Sequence, residues 1–362
     1  MMMHHGENGK MLIGSFWRNK RVFLTGQTGF KGSWLSIILS NLDAHVKGYA
    51  LEPKKSNNLY DLAKLENKII SDFGDIRDFD YLKKSILSFD PEIVIHLAAQ
   101  PIVIDSYLKP FETYQTNFLG TLNLLEILRE SKGVKSIVNV TTDKCYENVE
   151  SLNGYKETDR LGGVDPYSNS KTCSEFVTNA YFKSFFSKKN IGISTARSGN
   201  VIGGGDWGNY RLIPDVIEAF NKNKLLKIRN PYSIRPWQHV LEPLSGYMLL
   251  AEKMYKDPLH YSQSWNFGPY DKNFKSVHWI INQIEKSWKN SDWVIEDNNK
   301  FSETNVLKLD ISKATSLLGW KPKWDLIKTL DLTVNWYKNW LSDQDVLNCC
   351  LSQINEYFGK KI

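Results

Sequence analysis

Two periodicities share the first two hundred residues. Short apolar, β-branched runs at 21–25, 45–50, 68–73, 93–97, 136–140 and 191–196 predict strands. Between them, helical spacing predicts helices over about 32–42, 79–88, 111–131 and 167–186, the third with apolar residues at or near Phe118, Leu122, Leu125 and Leu128. The run Ile93-Val94-Ile95-His96-Leu97 is almost continuously apolar, which suits a strand buried on both faces of a parallel sheet. Strand and helix in regular alternation predict an α/β fold with a doubly wound parallel sheet.

The pattern changes at Gly199. From there to Pro243 the chain is rich in Gly, Pro, Asn and Arg and has little period. Helical spacing returns at 242–256, 275–288, 311–319 and 325–341. The expected organisation is a disordered extension over 1–16, a sheet domain over 17–198 joined by a strand and a helix from about 236–265, and a smaller, mostly α lobe over 199–362. No role is assigned to 343–362, and no internal repeat is seen.

Composition narrows the class. The chain has 362 residues, 41% apolar and 24% charged, which is ordinary globular usage and excludes dominant disorder. No apolar run approaches the ~18–20 residues of a membrane helix, and the first twenty residues lack the apolar core and cleavage site of a secretory signal. His4 and His5 read equally as native residues or a tag remnant. Cys145, Cys173, Cys349 and Cys350 form no C-x-x-C pair, so no metal site is expected and the thiols read as reduced, in a cytoplasmic protein. The net charge of +6 is spread among acids, apart from Lys360-Lys361, whereas a nucleic-acid face requires a clustered stripe. The excess suits an anionic small molecule instead.

Four motifs carry chemistry. Gly26-Gln27-Thr28-Gly29-Phe30-Lys31-Gly32 is spaced G-x-x-G-x-x-G between a predicted strand and helix, where glycines admit a pyrophosphate and the helix start offers free N–H groups. This points to a Rossmann-type cofactor domain. NAD is favoured and NADP stays open. Glu52 is a late candidate for the ribose hydroxyls, Lys54 and Lys55 lie near, and Asp75 ends the third strand, where it can accept from an adenine amine. Tyr167 and Lys171 are four apart, so both lie on one helix face, and an ammonium there favours the phenolate that removes an alcohol proton. Thr142-Asp143-Lys144 follows the fifth strand, at the sheet edge where ligands bind. Thr142 can donate to a carbonyl oxygen, while Asp143 and Lys144 supply an acid and a base that a simple alcohol oxidation does not require. Finally, Asn200, Arg211 and Arg235 lie in the stretch 197–241, where arginine forks suit a diphosphate. Trp207, Trp237 and Trp265 read as core or as stacking surfaces, and His96 and His239 as hydrogen-bonded structural histidines.

Together, the glycine loop, His96-Leu97-Ala98-Ala99-Gln100, Thr142 and Tyr167-x-x-x-Lys171 resemble the extended short-chain dehydrogenase/reductases that act on nucleotide sugars. Residues 142–148 (TDKCYEN), 199–207 (GNVIGGGDW), 211–215 (RLIPD) and 265–269 (WNFGP) are similar to those of the CDP-glucose 4,6-dehydratases, and the resemblance spans roughly 17–340. It implies a hydro-lyase with tightly held NAD and CDP-glucose as substrate, feeding deoxysugars for surface polysaccharide such as lipopolysaccharide O-antigen. Tyr167, aided by Lys171 and Thr142, would take the C4 hydroxyl proton, and Asp143 would protonate the leaving C6 hydroxyl. Lys144 stands where relatives carry a glutamate base and is read as the C5 base. The resemblance further implies cofactor contacts from Gly26, Thr28, Gly29, Phe30, Lys31, Gly32, Asp75, Ile76, Leu97, Ala98, Ala99, Gln100, Tyr167 and Lys171. Substrate contacts would come from Ser106, Asn200, Arg211, Leu212, Ile213, Arg235, Gln238 and Asn266. A homodimer through helices near 111–131 and 167–186 is implied, with tetramers left open. The competing readings are a 4-epimerase on the same fold, a silent dinucleotide-binding protein and a nucleic-acid binder.

Overall fold

The computed structural model describes residues 15–53, 57–151, 153–228, 230–270, 273–288, 292–295 and 306–359. His4, His5, Lys54, Lys55 and most of the expected N-terminal extension lie outside them. The central sheet contains β1 (Arg21–Thr25), β2 (His45–Ala50), β3 (Ile70–Phe73), β4 (Ile93–His96), β5 (Ser136–Val140) and β6 (Gly192–Ser198). A seventh strand, β11 (Ser264–Phe267), pairs with β6, and the order is β11-β6-β5-β4-β1-β2-β3, all parallel. Alternate strand residues enter cores on opposite faces: Val22, Leu24, Ile93 and Ile95 join one, Phe23, Val94 and Ile137 the other.

Helices of the sheet region are α1 (Phe30–Asn41), α2 (Leu59–Leu62), α3 (Phe79–Phe89), α4 (Val103–Leu108), α5 (Pro110–Tyr114), α6 (Gly120–Leu128) and α7 (Pro166–Tyr181). The single helix expected over 111–131 instead contains a π-helical turn at Gln115–Leu119, between α5 and α6. That turn presents buried Asn117, whose side chain accepts from the Gln100 amide at 2.8 Å and donates to the Gln100 carbonyl at 3.0 Å. A wider helical turn here fixes a loop at the end of β4, a common use of π-bulges.

The irregular stretch after Gly199 holds more structure than its period suggests. Helix α8 (Leu212–Asn221) was hidden among glycines and prolines, and β7 (Val201–Ile202), β8 (Leu226–Ile228), β9 (Ile234–Pro236) and β10 (Gln238–His239) are too short to show alternation. They form three two-stranded sheets: β7 with β10, β9 with β12 (Phe274–Ser276), and β8 with β13 (Trp293–Ile295). The later helices are α9 (Leu241–Lys256), α10 (Pro258–Tyr261), α11 (Val277–Glu285), α12 (Leu326–Leu341) and α13 (Val346–Phe358). The last falls in the segment left without a role. It buries Cys350, Ile354 and Tyr357 in the main core.

Candidate active site

The C-terminal ends of the strands open on a cleft of about 1010 Å3. Its floor is the loop between β1 and α1. Gly26 has φ +80°, and a Cβ there would sit 2.8 Å from the Ala98 nitrogen; a Cβ on Gly32 would come within 2.0 Å of the Gly26 carbonyl. Only glycine permits this packing, which brings the backbone close under the cleft. Gly29 caps α1 without a side-chain hydrogen bond, so the helix start keeps N–H groups for an anion. This cradle fits a dinucleotide pyrophosphate.

All the expected cofactor residues line the cleft: Gly26, Thr28, Gly29, Phe30, Lys31, Gly32, Asp75, Ile76, Leu97 to Gln100, Tyr167 and Lys171. Glu52 lines it too. Asp75 is engaged by Arg77, which donates through Nε at 2.9 Å and Nη2 at 2.6 Å, a neighbour that sequence reasoning did not single out. Lys31 buries its ammonium against the Ser198 hydroxyl at 2.8 Å and the Tyr247 hydroxyl at 3.4 Å. Burial first, then Arg211 and Lys171, lower its pKa to about 7.

On the opposite wall, β5 delivers Thr142, Asp143 and Lys144, and α7 delivers Tyr167 and Lys171. Thr142 Oγ1 donates to Asp143 Oδ1 at 3.0 Å and accepts from the Lys144 amide at 3.3 Å. Asp143 Oδ2 is buried without a partner. Burial raises the Asp143 carboxyl above its ordinary range, against the pull of Lys144 and the Thr142 hydrogen bond. Lys171 donates to the Val140 carbonyl at 3.2 Å, and burial lowers its pKa to about 8 while Glu175 opposes the fall. The Tyr167 phenol is raised to about 12, because burial outweighs the pull of the nearby Thr142 hydroxyl and the charge of Arg211. The expected lysine-lowered phenol is therefore not what this arrangement displays.

Asn200, Arg211, Leu212, Ile213 and Arg235 line the same cleft, as do Trp207 and Trp237. Three expected substrate contacts are not among the lining residues. Ser106 donates to the Val103 carbonyl within its own helix at 2.6 Å. Gln238 donates to the Phe267 carbonyl at 2.9 Å. Asn266 donates to the carbonyls of Tyr155 and Asp310 and accepts from Tyr146. All three are buried amid backbone partners; Gln238 and Asn266 knit separate elements together, while Ser106 stays within its own helix. Trp265 is core, donating to the Tyr261 carbonyl. His96 is buried between Thr25 and Thr121 hydroxyls, as a structural histidine should be. His239 is buried too, with Nδ1 accepting from the Leu241 amide at 3.3 Å.

Sequence reasoning also missed Asp206, which pairs with Arg211. Its signal was the lone acid in Gly203-Gly204-Gly205-Asp206, five residues before the arginine. Glu175, one turn beyond Lys171 on α7, was missed as well. It is buried in an ion pair with Arg197 at 2.8 Å and accepts from the hydroxyls of Thr141 and Thr195.

A doubly wound sheet with a glycine cradle and a Thr–Tyr–Lys set at its strand ends defines a short-chain dehydrogenase/reductase. The profile of the family described as GDP-mannose 4,6 dehydratase matches residues 23–333, and the chain belongs to that family. A CDP-glucose 4,6-dehydratase of Salmonella typhimurium is 48% identical over 355 residues, covering 96% of this chain and 99% of the relative. Among solved structures, a UDP-glucuronic acid 4-epimerase of Bacillus cereus in complex with UDP-glucuronic acid and NAD has TM-score 0.77 and 25% identity, covering 88% of this chain and 99% of that one. A dTDP-glucose 4,6-dehydratase of Streptomyces venezuelae with NAD bound has TM-score 0.76 and 23% identity over 90% of this chain and 99% of its own.

Proposed function

We propose that the chain is a hydro-lyase that converts CDP-glucose to CDP-4-keto-6-deoxyglucose with NAD as resident cofactor. The observation that carries this reading is Asp143, a buried acid with one oxygen unpartnered, flanked on the cleft wall by Thr142 and Lys144. A 4-epimerase has no C6 leaving group and no use for such an acid. The close, full-length similarity to a CDP-glucose 4,6-dehydratase supports the choice of nucleotide.

The glycine cradle with Asp75 and the 97–100 loop would hold the cofactor. When bound, NAD accepts the C4 hydride and later returns it at C6. Tyr167 takes the C4 hydroxyl proton, with Thr142 on the same cleft wall and Lys171 orienting the site from the next turn of α7. The C4 ketone acidifies C5–H, Lys144 removes that proton and later restores one, and Asp143 protonates the leaving C6 hydroxyl. Arg211 and Arg235 face the sugar diphosphate with forked donors. On this reading 17–198, with α9 and β11, form the cofactor half and 199–362 the substrate lobe.

We extend the proposal to a homodimer in the cytoplasm through the helices near 111–131 and 167–186, supplying deoxysugar for surface polysaccharide. Phe111, Leu119 and Phe176 leave large apolar side chains exposed on those helices, which supports a covering partner. Incubation with NAD and CDP-glucose should yield the alkali-induced chromophore of a 4-keto-6-deoxy sugar. Product from dTDP- or GDP-glucose in its place would reassign the nucleotide. No product from any nucleotide sugar would leave the silent dinucleotide-binding reading.

A further inference from the structure

The dehydration proposed above, on which this inference rests, places its acid and its base on one short turn, Asp143–Cys145, with Thr142 as the cap. A single turn has few bonds of its own, so its placement must be set from outside. Thr141 and Tyr146 flank it.

Both flanks are tied to the same buried ion pair. Glu175 on α7 and Arg197 on β6 meet side-on, Nε donating to Oε1 at 2.9 Å and Nη2 to Oε2 at 2.8 Å. On one flank, the Thr141 hydroxyl donates to Glu175 Oε1 at 2.5 Å. On the other, Arg197 Nη1 donates to the Tyr146 hydroxyl at 2.7 Å, and the guanidinium carbon lies 4.8 Å from the centre of that ring. The Tyr146 hydroxyl donates onward to Asn266 Oδ1 at 2.8 Å. The Thr195 hydroxyl donates to Glu175 Oε2 at 2.6 Å. All these side chains are buried.

Glu175, Arg197 and Tyr146 do not line the cleft, so whatever they do for the reaction passes through the turn. An ion pair this deep adds little net stability, because desolvation offsets the attraction. What a side-on guanidinium–carboxylate pair supplies is direction as well as distance. The chain itself is held separately: the Cys145 carbonyl accepts from the Gly162 amide at 2.9 Å and the Thr172 hydroxyl at 3.0 Å. Loss of the Tyr146 tie should therefore loosen the turn without releasing it.

We propose that Glu175 and Arg197 are positioning residues that clamp the catalytic turn at both ends: through Tyr146 they set Asp143 and Lys144 for the elimination, and through Thr141 they set Thr142 for the C4 oxidation. The two flanks thus serve the two halves of the reaction.

Stopped-flow absorbance of the reduced nicotinamide separates those halves, with NAD-loaded enzyme and CDP-glucose. Tyr146→Phe keeps the ring and removes the tie. Product formation should slow roughly tenfold to a hundredfold, the scale of a misplacement of about 1 Å, with KM for CDP-glucose unchanged. The reduced nicotinamide should form at the wild-type rate and accumulate, because elimination now lags oxidation. Thr141→Val should do the reverse: the reduced nicotinamide itself forms more slowly, by a similar factor, and does not accumulate. Arg197→Lys, which keeps the charge and loses the fork, replaces Tyr146→Phe if that variant does not fold. A Tyr146→Phe enzyme in which oxidation and product formation slow equally, or not at all, overturns the clamp and leaves the network a purely structural one. A Thr141→Val enzyme that oxidises C4 at the wild-type rate overturns the division between the flanks. A wild type that forms no product overturns the functional reading, and the clamp with it; a wild type that turns over alongside a Tyr146→Phe enzyme without accumulation overturns the clamp alone.

Discussion

Asp206 grips Arg211 through a single nitrogen: Nη1 donates to both carboxylate oxygens, each at 2.8 Å. Asp206 is itself fixed, accepting from the Gly208 amide at 3.0 Å on its side chain and from the Tyr337 hydroxyl at 2.6 Å on its carbonyl. A long, flexible cation is thereby set in the cleft wall before any anion arrives. Asp206→Asn weakens that hold. A charged hydrogen bond is worth about 1.5–3 kcal/mol, so KM for CDP-glucose should rise roughly tenfold to a hundredfold. The kcat should change little, and Asp206→Glu should recover part of the loss. Steady-state kinetics decide it: a fall in kcat with KM intact would mean that Asp206 acts on the chemistry rather than on substrate capture.

Lys144 lies on the cleft wall one residue past Asp143, its amide tied to the Thr142 hydroxyl. If it is the C5 base, as proposed, it exchanges the sugar's C5 proton with solvent. Lys144→Ala should lower incorporation of solvent deuterium at C5 by about 10²–10⁴-fold, the usual range for a general base. Mass spectrometry of product formed in deuterium oxide gives the measurement. Incorporation at the wild-type rate would remove Lys144 from that role.

The sequence was most legible where local spacing and chemistry coincide. The strands at 21–25, 45–50 and 136–140 match their expected bounds because an apolar run on a doubly covered sheet has a sharp start and stop. The glycine loop, Thr142 and Tyr167–Lys171 were legible because each motif lies within one turn or loop. Partners brought together by tertiary folding were not. Arg77 on Asp75 and Glu175 under Lys171 look like any surface charge in sequence. Asn266 and Gln238 erred the other way: their motifs are distinctive, but the side chains satisfy backbone groups. The phenol of Tyr167 misled for a related reason, since spacing locates its lysine but cannot weigh burial against charge. Helix α13 went unassigned because nothing in its own period says what it covers.

That covering helix leads to the last expectation. Tyr357 of α13 donates to Glu242 Oε2 at 2.6 Å, and the amides of Lys323 and Trp324 donate to the same carboxyl at 2.8–3.1 Å. Lys323 closes the group by donating to the Tyr357 carbonyl at 2.8 Å. Burial nonetheless raises the Glu242 pKa from 4.5 to about 7, against those bonds and the Lys323 charge. The folded state thus holds this proton more tightly than the unfolded chain. Its contribution to stability is full below about pH 4.5 and is lost as pH rises through about 7, a change on the order of 3 kcal/mol. Glu242→Gln fixes the neutral form, at the cost of an amide facing donors. The stability gap between wild type and this variant, read from urea unfolding, should be wider at pH 5 than at pH 8. A gap that widens toward pH 8 would show that the ionised carboxylate is the form that holds α13 in place.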